Sequence, residues 1–82
     1  MKYPLYKDMA LTCDIPGHKL RRGDVVRVVD RHTGPGGAEG YSIEIFNAVG
    51  DTVTVTTVGE AALEPLRSDE IFAIRRIESA AA

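Results

Sequence analysis

The sequence predicts a small all-β domain of about five strands with one short helical turn. Val is abundant and Thr clustered, which favours extended chain. The eight Gly and four Pro fall mainly between the apolar runs, where turns belong. Several of those runs alternate apolar and polar residues with period two, the mark of a strand with one covered face. At 82 residues, the chain is read as a single domain over 1–82 with an ordered core of about 8–77.

The first strand is expected from Asp8 to Cys13, with Met9, Leu11 and Cys13 on one face and Ala10 and Thr12 on the other. An irregular loop from Asp14 to Leu20 follows. Its Pro16-Gly17 pair signals a turn, and Leu20 is expected to fold back and cap the core. Arg22-Gly23-Asp24 reads as a tight turn, with Gly23 supplying an unusual backbone angle and Asp24 accepting turn hydrogen bonds. Val25 to Val29 holds four Val in five residues and is a strand, with Val26 and Val28 inward and Arg27 in solvent.

Thr33 to Gly37 is a hairpin tip rich in Gly. The third strand runs from Gly40 to Asn47 with Tyr41, Ile43 and Ile45 inward. Val49-Gly50-Asp51 carries the reversal into a fourth strand, Thr52 to Val58. There Val53 and Val55 are expected inward and the threonines outward. Gly59 to Leu63 supplies the helical turn, and Glu64-Pro65-Leu66 returns to extended chain. The segment Ser68 to Glu78 supports two readings. Ile71, Ile74 and Ile77 recur at helical spacing behind a capping Ser68, while Glu70 to Arg75 suits a closing strand; the strand is taken. Ala80-Ala81-Ala82 is expected to fray.

In this order the elements resemble an SH3-like barrel. Leu20 to Val29, with a basic residue, Gly, Asp and alternating Val, also resembles the opening of a KOW motif, which implies RNA contact. A longer resemblance runs from about Met9 to Arg75. Pro16-Gly17-His18-Lys19-Leu20, Arg21-Arg22-Gly23-Asp24-Val25, Tyr41 to Phe46, Gly50-Asp51-Thr52 and Leu63-Glu64-Pro65-Leu66 resemble the pattern of short bacterial proteins known only as a domain of unknown function. That resemblance implies a fold and no activity.

No chemical constellation emerges from the chain. Cys13, His18 and His32 lack the paired spacing of a zinc site, and Cys13 reads as a small buried hydrophobe. Ser42, Ser68 and Ser79 lie in no nucleophile context, and no Lys-Ser/Thr follows Gly34 to Gly37 as a phosphate loop requires. No catalytic residue, metal ligand or cofactor is assigned. A single Cys argues for a reducing compartment, and no run is apolar enough for an export signal or a membrane span, so a cytoplasmic protein is expected.

Net charge is −2, which does not favour a general nucleic-acid binder. Positive charge is nevertheless concentrated at Lys19, Arg21, Arg22, Arg27, Arg31 and His32, balanced by Asp24, Asp30, Glu39 and Glu44. Two functions follow. The leading one is a non-catalytic interaction module that binds a protein partner or associates with itself. The alternative is RNA or single-stranded nucleic-acid binding through the face from Lys19 to His32.

Overall fold

A computed structural model describes residues 2–77. Its strands are β1 (Asp8–Leu11), β2 (Val25–Thr33), β3 (Glu39–Phe46), β4 (Thr52–Gly59) and β5 (Leu63–Pro65). They form one antiparallel sheet in the order β4-β3-β2-β1-β5. Short 3-10 turns at Pro16–His18, Pro35–Gly37 and Glu60–Ala62 join them, so the expected single helical turn, the third of these, has two companions in the loops.

The expected inward positions of β2 and β3 hold. Val26, Val28, Tyr41 and Ile43 are at most 1% exposed and Arg27 faces water. Met9, Ala10, Leu11, Leu20, Ile45 and Leu63 complete the buried set, with Tyr3, Ile15 and Val58 packed against it. Each large apolar side chain removed from water contributes about 1.5–3 kcal/mol. Leu20 reaches this core because Ile15 and Leu20 exchange backbone hydrogen bonds of 2.9 and 3.2 Å, closing the loop into a miniature hairpin. Tyr41 buries its ring, and its hydroxyl accepts the Tyr3 N–H at 3.0 Å. Tyr3 thereby covers one end of the sheet, its ring 5.5 Å from that of Tyr41.

The turn before β2 is fixed on both sides. Gly23 sits at φ +90°, a region costly for residues with a Cβ, and its N–H donates to the Leu11 carbonyl at 2.8 Å. Asp24 Oδ2 accepts the Arg21 N–H at 2.8 Å, and the Arg21 carbonyl accepts the Asp24 N–H at 3.0 Å. At the β3–β4 reversal, Asn47 Oδ1 accepts the N–H groups of Val49 and Asp51, and Gly50 takes φ +92°.

Three expectations are corrected. β4 presents the opposite face: Thr54, Thr56 and Val58 align with Ile45, Ile43 and Tyr41, leaving Val53 38% and Val55 55% exposed. Cys13 lies past the end of β1 and is exposed, not a buried hydrophobe. Residues 70–77 form neither helix nor strand, and the closing strand is β5, paired with β1 through Leu11 and Leu63. Glu78, Ser79 and the three closing alanines lie outside the described residues.

Candidate functional site

The structure divides the basic residues named from the sequence. Lys19, Arg21 and Arg22 lie in the loop between β1 and β2, where Asp14 Oδ1 accepts the Arg22 N–H at 2.8 Å. Arg27 stands on the outer face of β2 in a cross-strand row of Asp8, Arg27, Glu44 and Val55. Its guanidinium donates to Asp8 at 2.9 Å and lies 5.0 Å from the Phe46 ring centroid, and the Asp8 hydrogen bond raises its pKa.

Beyond Val28 the register changes. Val28 pairs with Ile43 but Asp30 pairs with Ser42, so Val29 is an extra residue, and the side chains after it change face. Arg31 therefore stands opposite Tyr41, on the side of the sheet away from Arg27. His32 keeps to the Arg27 face, about 13 Å along the strand, with Nε2 2.7 Å from Ser42 Oγ. The six residues thus form separate groups on two faces and a loop.

His18 Nε2 lies 3.1 Å from Thr56 Oγ1 on β4, while His32 meets β3, so these histidines and exposed Cys13 do not converge. Among the described residues, no group of three or more His, Cys, Asp or Glu could hold a metal ion. No described helix is long and apolar enough to cross a membrane.

What the fold does assemble centres on Asp24. The chain leaves β5, turns back at residues 67–70 and crosses the start of β2. There Arg75 Nε donates to Asp24 Oδ1 at 2.9 Å and Nη2 donates to Oδ2 at 2.5 Å. Nη2 also reaches the Lys19 carbonyl at 3.0 Å. The paired geometry matches a guanidinium fork to a carboxylate and is the stronger kind of ion pair. Burial by itself raises the Asp24 carboxyl. Hydrogen bonds from Arg75 and the Arg21 N–H, with the positive charge of both residues, bring it below the ordinary carboxylate value. The Arg75 guanidinium is shifted upward by the same contact.

Between this crossing segment and the sheet lies a cavity of about 290 Å³, bordered by Leu20, Val25, Ile45, Phe46 and Val53 on the sheet side. Phe72, Ile74 and Ile77 border it from the segment. These side chains do not fill it: Phe72, Ile74 and Ile77 are 76%, 92% and 49% exposed, and Ile71 beside them is 94% exposed. Among the described residues, no backbone group of residues 71–77 bonds to the backbone of another element. Asp24 was readable from the sequence as a turn residue, and its second role as the anchor of Arg75 was not. The usable signal was the extended Leu63-Glu64-Pro65, which supplies the closing strand before the run of Ile and Phe is reached.

Residues 5–65 match the family described as Domain of unknown function (DUF4926). The chain belongs to this family. The DUF4926 match begins upstream of Met9 and stops at Pro65, the last residue of β5, short of Arg75. It therefore covers the sheet and leaves out the segment that Arg75 anchors. No curated protein and no solved structure matches the chain.

Proposed function

We propose that this DUF4926 protein is a non-catalytic interaction module, an SH3-like barrel that associates with a second copy of itself through its C-terminal apolar segment. The barrel reading draws on the strand order, in which β5 returns beside β1 and a 3-10 turn precedes it. One observation carries the functional reading. Three large apolar side chains, Ile71, Phe72 and Ile74, stand in water on a segment that a two-pronged ion pair ties to the domain. Isolated exposed apolar residues are ordinary, but a contiguous run beside the exposed Val53 makes a surface of the kind partners cover.

The exposed thiol of Cys13 suits a reducing compartment, which supports a cytoplasmic site of action. The nucleic-acid alternative draws less support, because Arg27 is paired with Asp8 and Arg31 stands on the opposite face. Sedimentation equilibrium from low micromolar to millimolar protein tests the proposal. The wild type is expected to shift from monomer to dimer, and Ile71→Ser/Phe72→Ser/Ile74→Ser to remain monomeric. Equal association by both would refute it.

A further inference from the structure

The carboxylate of Asp24 and the cavity beside it make a receptor for a segment that presents a guanidinium beside Ile and Phe. Residues 71–77 are such a segment, and every copy of the chain carries both halves. Resting on the self-association proposed above, we propose that two copies exchange these segments, Arg75 of each protomer pairing with the partner's Asp24.

The contacts made within one chain are few and transferable. The segment is anchored by the Arg75 side chain, and the cavity beneath it stays open. The fold-back into that position depends on a small turn, in which Glu70 Oε1 accepts the Arg67 N–H at 2.6 Å and the Arg67 carbonyl accepts the Glu70 N–H at 3.1 Å. Arg67 and Glu70 are exposed, so water can replace these bonds when the turn opens.

Ten Cα steps separate Pro65 from Arg75, an extended span of roughly 33 Å, which exceeds the 20 Å of the molecule's shortest axis. Exchange conserves every contact that the segment makes at Asp24. It also brings the two crossing segments together at a twofold axis, where Ile71, Phe72 and Ile74 of each can cover those of the other. Such an interface is self-complementary by symmetry and closes at two copies.

Charge reversal separates exchange from other modes of association. Asp24→Arg and Arg75→Asp each place like charges at both ends of the contact, within a chain and between identical chains. Mixed one to one, the unaltered Arg75 of the first variant meets the unaltered Asp24 of the second. The two substituted positions meet at the other end of the dimer, where a new carboxylate faces a new guanidinium. Sedimentation of each variant alone is expected to give monomers, and the mixture a heterodimer with a dissociation constant within about tenfold of the wild-type dimer. Circular dichroism checks that each is folded, and Asp24→Lys with Arg75→Glu serves as a second pair. A wild-type dimer with no heterodimer from either pair overturns exchange while leaving self-association standing. Variants that dimerise alone as well as the wild type also overturn it. A wild type monomeric at millimolar concentration overturns both readings.

Discussion

Breaking the Asp24–Arg75 contact should weaken the monomer by a predictable amount. The two side chains are 17% and 29% exposed, so the pair lies between a surface salt bridge and a buried one. Exposed pairs contribute up to about 1 kcal/mol, and hydrogen bonds to charged groups about 1.5–3 kcal/mol. With solvent screening at this exposure, about 1 kcal/mol is the reasonable value for Arg75→Ala. Asp24→Ala also removes the acceptor for the Arg21 N–H and should lose about 2 kcal/mol. The double variant should then lose no more than Asp24→Ala alone, a coupling of about 1 kcal/mol. Urea denaturation at low micromolar protein, where association does not contribute, is the assay. With a slope of about 1 kcal/mol/M for a domain this small, Arg75→Ala should lower the midpoint by about 1 M. An unchanged midpoint, or two single losses that simply add, would refute the claim that Arg75 holds the segment to the domain.

The same pair makes a pH prediction. The folded Asp24 carboxyl titrates below its unfolded value, so its contribution is fully present above the unfolded pKa of about 3.9 and disappears as pH falls through the lower folded value. The difference in urea midpoint between wild type and Arg75→Ala should therefore be constant from neutral pH to about 4 and vanish in stronger acid; a difference independent of pH would contradict it. The face assigned to β4 is checked by comparing two valines. Val28→Ala, at a fully buried position, should lose about 2 kcal/mol, and Val55→Ala, 55% exposed, less than about 0.5 kcal/mol. Comparable losses would return Val55 to the interior.

Sequence pattern was sufficient where a single periodicity was present. Tyr41, Ile43 and Ile45 could share only one face of β3, and Val26 with Val28 fixed β2 until the extra residue at Val29, which a run of valines does not reveal. In β4 the pattern held a contradiction. Val53 and Val55 share one parity and Val58 has the other, so all three cannot point inward. Pairing with β3 decides it, since Tyr41 is buried and brings Val58 with it. The final segment misled because Glu70 to Arg75 suits an extended closing strand, while that place beside β1 was already taken by β5 through Leu63. Of the site, the Gly23-Asp24 turn was legible because local backbone geometry demands those residue types. Arg75 was not, because a contact across 51 residues leaves no local mark.

The placement of β5 beside β1 also sets the order in which the chain can acquire its structure. Pairings β1–β2, β2–β3 and β3–β4 join neighbours in sequence and can form by zippering from their turns. Leu11 and Leu63 must find one another across 52 residues, for which the length-dependent entropy of loop closure is about 3.5 kcal/mol. Until that encounter one edge of β1 stands open, and during synthesis it stays open until Pro65 has emerged. The interval of greatest exposure to misassembly thus falls late, set by the three residues of β5 and not by the longer hairpins before it.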